Sequence, residues 1–193
     1  MDCDVTKKEA EAPLTMSDTQ LAMHYVCTHE RAAELIRERS RFWVSNCGCR
    51  EDRGQCARSR IDVCLIFNPD DPGSGPAKHE IDRAGAEAIL HEAQTEHLVA
   101  RPWRNEVRTA TDGICFCCDD CCGYFLDPTE RCDKGDLAAV TDLNLCTDCG
   151  VCVEVCYFGA RTMTAGGLAV DAARCYGCGL CVAVCPEGCI EMR

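Results

Sequence analysis

Two runs of cysteine near the carboxyl end of the chain have the residue type and the spacing of a metal-binding segment. Each run follows the pattern C-x2-C-x2-C-x3-C, which presents three thiols on one short loop and a fourth after three more residues. The runs consist of Cys146, Cys149, Cys152 and Cys156, and of Cys175, Cys178, Cys181 and Cys185. Thiolates are preferred ligands of iron–sulfur clusters and zinc. We therefore expect these eight thiols to bind metal.

The second run repeats the first at an interval of 29 residues. The same shift superimposes Gly150 on Gly179 and Val153 on Val182. The segment from residue 137 to residue 193 is therefore an internal repeat with eight thiols in register. Its short apolar stretches predict small hairpins and one-turn helices around the cysteine loops, including a hairpin with its turn at 165–167.

The whole chain is rich in cysteine, with 21 in 193 residues. It begins MDCDVTKKEA, which lacks the apolar segment of a secretory signal, so we expect a cytoplasmic location. Disulfides rarely persist in the reducing cytoplasm. Metal binding is therefore the expected use of these thiols.

Charge and hydropathy limit the partners of the protein. The formal net charge is −12, and phosphates repel an acidic chain, so we expect no nucleic-acid ligand. The acidity suits docking onto a basic surface of a redox partner protein. No run approaches the roughly 18 apolar residues of a membrane-spanning helix, so we expect no membrane span.

Further cysteines precede the repeat and form a second candidate metal-binding set. Their members are Cys47, Cys49, Cys56, Cys64, Cys115, Cys117, Cys118, Cys121 and Cys122. They can hold a third cluster, two further clusters or a zinc ion, or remain free redox thiols. Neighbouring cysteines such as Cys117 and Cys118 rarely bind one cube together, so such pairs can serve two sites. Cys64 lies in an apolar run and can simply be a core residue.

The elements expected to position these cysteines are mainly helical in the amino-terminal part. A capping pattern at Ser17 and Gln20 predicts a short helix, and apolar periodicity predicts helices over about 28–42 and 81–97. Residues 61–67 form an apolar run typical of a buried strand. Residues 98–103 favour extended structure, with Pro102 limiting them to a sheet edge or a strand end. We predict a cysteine-rich, mainly helical domain over 1–136 and a second domain over 137–193.

The 137–193 segment resembles the bacterial ferredoxin family that carries two [4Fe–4S] clusters. The resemblance rests on the two C-x2-C-x2-C-x3-C runs and on Pro186 after Cys185. It implies an α+β, βαβ-type fold with pseudo-twofold symmetry, in which the last cysteine of each run binds the other cluster. Cluster one then has the ligands Cys146, Cys149, Cys152 and Cys185, and cluster two has Cys175, Cys178, Cys181 and Cys156. Tyr157 departs from the family pattern, because a proline is expected after the fourth cysteine of the first run.

The region around 46–50 and 114–118 is similar to cysteine-rich segments that precede ferredoxin modules in iron–sulfur proteins of anaerobes. Together with the ferredoxin resemblance, this predicts an electron-transfer protein that relays low-potential electrons to or from a partner oxidoreductase. The alternative is a redox enzyme subunit in which the amino-terminal cysteines do cluster or thiol chemistry. The sequence contains no nucleotide-binding fingerprint and no nucleophile elbow, so we expect a carrier rather than an enzyme.

Overall fold

The computed structural model describes residues 21–126 and 131–193. The strands are β1 (His24–Tyr25), β2 (Phe42–Ser45), β3 (Cys64–Ile66), β4 (His79–Ile81), β5 (Val99–Arg104), β6 (Thr111–Cys117), β7 (Cys132–Asp133), β8 (Ala139–Thr141), β9 (Arg161–Thr164), β10 (Gly167–Val170) and β11 (Ile190–Met192). The helices are α1 (His29–Arg37), α2 (Gly48–Arg53), α3 (Arg83–Thr95), α4 (Gly123–Leu126), α5 (Val151–Glu154) and α6 (Leu180–Val184), with a 3-10 turn at Ala172–Arg174.

The amino-terminal part is built on a seven-stranded sheet with the order β4-β2-β3-β6-β5-β1-β7. The neighbouring strands are antiparallel except β1 and β7, which are parallel. Helices α1 and α3 contact each other and supply the apolar side chains that cover one face. Each helix begins at a capping side chain: Thr28 Oγ1 accepts the N–H of Arg31 at 3.2 Å, and Asp82 Oδ1 accepts the N–H of Gly85 at 2.8 Å.

The two faces of this sheet carry different side chains, because successive side chains of a strand point to opposite sides. Along β6, Ile114 and Phe116 pack into the core under α1 and α3. The residues that alternate with them, Cys115 and Cys117, lie with the apolar groups on the other face. Cys64 also packs on that other face. The register of β6 therefore presents thiols on the face away from the two long helices.

The prediction of a mainly helical amino-terminal domain is wrong, because this part is rich in sheet. Apolar alternation did not reveal its strands, because several have only two or three residues and because all four positions of β2 are buried. The predicted helix from residue 28 ends at Arg37, and Phe42 begins β2. Of the short helix predicted near residue 17, Ser17 and Gln20 lie outside the described residues, and His24–Tyr25 form a strand.

The prediction that residues 98–103 occupy a sheet edge or a strand end is also wrong, because β5 pairs with β6 on one side and β1 on the other. Ala100 O accepts the N–H of Cys27, and the N–H of Arg104 donates to Met23 O. Pro102 is two residues from both Ala100 and Arg104, so its backbone nitrogen faces the same side, toward β1. Because proline has no N–H, one possible bond to β1 is lost there.

The carboxyl-terminal segment has the α+β arrangement that the ferredoxin resemblance implies. Its first half runs β8-α5-β9, and its second half runs β10-α6-β11. The first strand of each half pairs antiparallel with the last strand of the other half, as β8 with β11 and β10 with β9. This exchange gives the pseudo-twofold arrangement and places the two cysteine loops side by side.

The two parts of the chain share an interface. The N–H of Gly135 donates to Tyr176 O at 2.9 Å, beside the domain boundary predicted near residue 136. One buried cluster joins Val26 and Val99 of the sheet to Val155 and Leu180 of the repeat. The division into 1–136 and 137–193 stays a prediction. Within the described ranges, no helix has the length and apolar character needed to cross a bilayer.

Candidate metal centres

The two cysteine runs line two separate cavities, and each cavity takes cysteines from both runs. Cys146, Cys149 and Cys152 line the first together with Cys185 of the second run. Cys175, Cys178 and Cys181 line the other together with Cys156 of the first run. The helices that follow the loops explain the exchange, because α5 and α6 pack against each other and carry each fourth cysteine to the opposite loop. Four convergent thiols are the donor set that a [4Fe–4S] cube requires.

Positive backbone φ angles shape both cysteine loops. Gly150 and Gly179 begin α5 and α6 with φ angles of 79° and 76°. Two residues before each glycine, the repeat pairs Asp148 (φ 55°) with Gly177 (φ 77°). The carboxylate of Asp148 accepts the N–H of Leu168 at 2.8 Å, so a side chain is useful there. At Gly177 a Cβ would lie 2.1 Å from Leu137 O, so only glycine fits.

Gly177→Ala should therefore destabilise the protein far more than Gly188→Ala. Both positions have positive φ, but a Cβ at Gly188 would meet no atom within 4 Å. We expect Gly188→Ala to cost about 1–2 kcal/mol of unfolding free energy from backbone strain alone. Gly177→Ala adds the overlap with Leu137 O, for a total of about 3–4 kcal/mol. Anaerobic denaturant unfolding of the two variants measures the difference, and equal costs would contradict the prediction.

A buried arginine lies between the two cavities. Arg161 is only 3% exposed, and its Nη1 donates to Thr141 Oγ1 at 3.0 Å and approaches Cys152 Sγ at 3.8 Å. Burial opposes its charge, but the thiols of Cys181 and Cys152 more than offset this, so its pKa lies above the ordinary value. The guanidinium therefore lies beside one thiol of each predicted ligand set.

The amino-terminal cysteines line a larger cavity of about 460 Å³. The cysteines around it are Cys47, Cys49, Cys115, Cys117, Cys121 and Cys122. Strand β6 contributes Cys115 and Cys117, α2 contributes Cys49, and the loop before α4 contributes Cys122. Cys49, Cys117 and Cys122 are neighbours in this wall, because the thiol of Cys122 interacts with the thiols of both others. The cavity has enough thiols for a four-cysteine cluster site.

Two buried arginines, Arg50 and Arg101, line the cavity beside these thiols. Arg50 is buried, and it donates to Phe116 O at 3.1 Å and to Ser59 Oγ at 3.2 Å. Burial opposes the charges of Arg50 and Arg101, but neighbouring thiols more than compensate and raise both pKa values, through Cys121 at Arg50 and Cys117 at Arg101. Both cations line the cavity and can offset the negative charge of a thiolate-bound metal centre.

His24 also lines the cavity, and it is neutral at pH 7. Burial and, to a smaller extent, the charge of Arg101 lower the pKa of its imidazole to about 4. The positive charge at this wall therefore comes from arginine rather than from histidine.

Two further cysteines, Cys56 and Cys118, meet Cys121 outside the wall formed by β6. The Sγ atom of Cys118 lies 3.6 Å from Cys56 Sγ and 3.4 Å from Cys121 Sγ. All three Sγ atoms lie within 4.8 Å of one another. The structure thus places the neighbours Cys117 and Cys118 in different groups of thiols. It separates Cys121 and Cys122 less fully, since both reach the cavity.

Cys64 is a predicted amino-terminal ligand that lies buried in the sheet but does not line the cavity. It is 1% exposed in β3 and accepts a hydrogen bond from Ser74 Oγ at 3.1 Å. Its thiol also interacts with that of Cys115, which hydrogen-bonds it and lowers its pKa to about 7. Cys64 lies outside the cavity wall, which agrees with the alternative that it is a core residue.

An aromatic cluster connects the cysteine cavity with the cavity around Cys156 and Cys175. Tyr124 borders the amino-terminal cysteine cavity, and its ring centroid lies 5.3 Å from that of Phe125. Phe125 contacts Phe158 at 5.1 Å, and Phe158 stacks on Tyr176 at 4.3 Å. Phe158 and Tyr176 both line the second cavity. Side chains in van der Waals contact therefore join the two candidate centres.

Sequence reasoning missed two buried arginines near the thiols, Arg161 and Arg101. A signal for Arg161 was available, because the 29-residue shift aligns it with Ile190, and a charge at an apolar repeat position is unusual. Arg101 had a weaker signal, as a charge within an apolar strand. Arg50, which follows Cys49 directly in the sequence, is buried as well and is therefore not a surface charge.

A search of curated proteins finds no match to the chain. Residues 145–189 match the family model described as a 4Fe-4S dicluster domain. The match begins one residue before Cys146 and ends at Cys189, so it contains all eight cysteines of the two runs. The amino-terminal cysteine cavity lies outside it. The carboxyl-terminal segment of this chain is therefore a ferredoxin-type 4Fe-4S dicluster domain, and the domain type indicates iron–sulfur electron transfer.

Proposed function

We propose that the protein is a cytoplasmic electron carrier that relays low-potential electrons to or from a partner oxidoreductase through three [4Fe–4S] clusters. The observation that supports this most is the contact chain from the amino-terminal cysteine cavity to the dicluster domain. Thiol-lined cavities connected by packed side chains are arranged as a relay, because electron transfer needs closely spaced centres. The acidic net charge of −12 favours a redox partner with a basic docking surface.

In this proposal the dicluster domain uses the exchanged ligand sets. Cluster one is bound by Cys146, Cys149, Cys152 and Cys185, and cluster two by Cys175, Cys178, Cys181 and Cys156. Their convergence on two cavities supports the assignment. The clusters supply one-electron redox chemistry when bound. The protein's own part is to hold them close together, limit water access and set the surrounding charge.

The third cluster is assigned to Cys49, Cys115, Cys117 and Cys122. These four thiols line the same cavity, and Arg101 beside them offsets negative charge. The cavity borders Tyr124, so the third cluster is joined to cluster two by the aromatic contacts. Cys149 is exposed, so cluster one is the centre nearest to solvent in the dicluster domain and the natural exchange point with a partner.

Anaerobic purification of the full chain, with iron analysis and electron paramagnetic resonance, tests this proposal. We expect about twelve irons per chain and three reducible [4Fe–4S] signals. Reduced protein should pass electrons to an oxidised viologen of suitable potential. About eight irons would remove the third cluster from the proposal. A protein with full iron content that exchanges electrons with no mediator would contradict the electron-transfer role.

A second candidate function is a redox enzyme subunit with its reaction at the amino-terminal cavity. It is favoured by the surplus of thiols, since Cys47 and Cys121 line the cavity in addition to the four assigned ligands. Electrons from the dicluster domain would reduce a small disulfide there, with two electrons and two protons consumed for each pair of thiols formed. Thiol release from an added disulfide by the viologen-reduced protein would support this function.

A further inference from the structure

We propose that Cys56, Cys118 and Cys121 bind a single zinc ion at a site separate from the third cluster. The site shares no ligand with the set assigned to that cluster, so it goes beyond the proposed electron-transfer function. It stands on the distances between the thiols and on the contacts that hold their two loops together.

The distances between the thiols fit one tetrahedral ion. Zinc binds thiolate sulfur at about 2.3 Å, so two sulfurs of a tetrahedral site lie roughly 3.8 Å apart. Cys118 Sγ lies 3.6 Å from Cys56 Sγ and 3.4 Å from Cys121 Sγ, and the third pair is within 4.8 Å. Small outward movements of the thiols give the spacing of a zinc site.

The dicluster domain provides an internal comparison. In the described part of the chain, Cys56, Cys118 and Cys121 form the one group of three potential ligands whose donor atoms all lie within 4.8 Å. No three donor atoms of the two ferredoxin cavities come this close together among the described residues, although Cys185 Sγ and Cys189 Sγ form a close pair at 3.4 Å. That difference is expected, because each thiolate of a cube binds a different iron, whereas the ligands of one ion converge on one point. The close trio therefore favours a single ion over a cube.

The sequence around the trio has the form of a zinc knuckle. Cys118 and Cys121 are separated by two residues, which is a ligand spacing typical of structural zinc sites. The N–H of Cys122 donates to Cys118 O, which closes a tight turn over this spacing. Cys56 comes from a different loop, after α2, so an ion there would join two segments that are distant in sequence.

Both residues between Cys118 and Cys121 hold the loop of Cys56 in place. Asp120 Oδ2 accepts the N–H of Ala57 at 2.9 Å, and Asp119 Oδ1 accepts from Arg58 Nε at 2.8 Å. Asp120 O also accepts from Arg53 at 3.2 Å. These bonds position the third thiol against the first two without using any of the three sulfurs. Outer contacts of this kind orient the ligands of a metal site.

The charge around the trio also suits the ion. Three thiolates and one Zn²⁺ carry a net charge of −1. Arg50 lies beside Cys121, is 1% exposed, and has a buried Nε atom without a hydrogen-bond partner in the described structure. A buried cation next to the site compensates that charge, which otherwise makes burial of a metal–thiolate group costly.

Metal analysis of the full chain, purified anaerobically from medium containing iron and zinc, tests the site. We expect about one zinc per chain, with at least three sulfur neighbours at about 2.3 Å in zinc X-ray absorption. Cys56→Ala should lose the zinc and keep its iron content. Cys64→Ala is the matched control, since Cys64 is a buried amino-terminal cysteine outside the trio, and it should keep both metals.

Two outcomes would overturn the zinc site. One is wild-type protein without stoichiometric zinc. The other is a Cys56→Ala variant that loses about four irons, because Cys56 would then be a cluster ligand. Cys122→Ala separates this proposal from the third cluster, since it should lose iron and keep zinc. If Cys56→Ala fails to fold, the absorption spectrum of the wild-type protein still decides the zinc coordination.

Discussion

Cys156→Ala is expected to damage cluster two and spare cluster one, although Cys156 belongs to the first cysteine run. Its thiol lines the cavity of Cys175, Cys178 and Cys181, so its loss removes the fourth ligand of that set. We expect the loss of about one iron if a three-iron cluster survives, or about four if the whole cluster is released. Iron analysis and electron paramagnetic resonance of the anaerobic variant measure this.

Three matched variants make the result decisive. Cys175→Ala should remove the same spectral component as Cys156→Ala, whereas Cys146→Ala should remove the other one. Cys189→Ala should leave the iron content unchanged, because Cys189 belongs to neither cysteine run, although its Sγ lies 3.4 Å from Cys185 Sγ. If Cys156→Ala instead matched Cys146→Ala, each run would bind its own cluster and the exchanged assignment would be wrong.

Arg161→Ile is expected to lower the reduction potentials of both clusters in the dicluster domain. A cation favours the reduced, more negative cluster, and Arg161 is buried beside Cys152 and Cys181. Over about 8 Å and at an effective dielectric constant of about 20, one charge contributes ~2 kcal/mol. This corresponds to about 90 mV for a one-electron step. Isoleucine is the appropriate replacement, because Ile190 occupies the equivalent position of the second repeat.

The control for this change is Arg161→Lys, which keeps the positive charge. A redox titration followed by electron paramagnetic resonance should give potentials near those of the wild type for lysine and lower ones for isoleucine. If Arg161 had only a structural role, the lysine and isoleucine variants would shift the potentials alike, because both lose the hydrogen-bond geometry of the guanidinium. Unchanged potentials in Arg161→Ile, with full iron content, would show that the charge does not tune the clusters.

The cysteine loops illustrate what short-range sequence information can predict. Three thiols within seven residues have few ways to lie relative to one another, so the C-x2-C-x2-C spacing already indicates the class of metal centre. The 29-residue repeat likewise predicted two similar halves and the hairpin of β9 and β10, because local turn chemistry and apolar alternation determine those elements. Helices α1 and α3 were predicted for the same reason, since their apolar faces recur with the helical period.

The amino-terminal sheet was not predictable in the same way. Strands β1, β3, β4 and β7 have two or three residues each, which is too short to establish a period. Their pairing order depends on contacts between segments far apart in the chain. Only the fold could therefore show that Pro102 lies in an interior strand and that Cys115 and Cys117 point away from the long helices.

By itself, the sequence determined the chemistry of this protein: soft thiolate ligands, two cluster-binding loops and a ferredoxin-like repeat. The tertiary structure decided which distant thiols meet. It separated Cys118 from Cys117, brought Cys56 to Cys118 and Cys121, and placed Arg161 between the two ferredoxin cavities. The physical reason is that ligand spacing within a loop is limited by a few backbone angles, whereas contacts between loops depend on the packing of the whole chain.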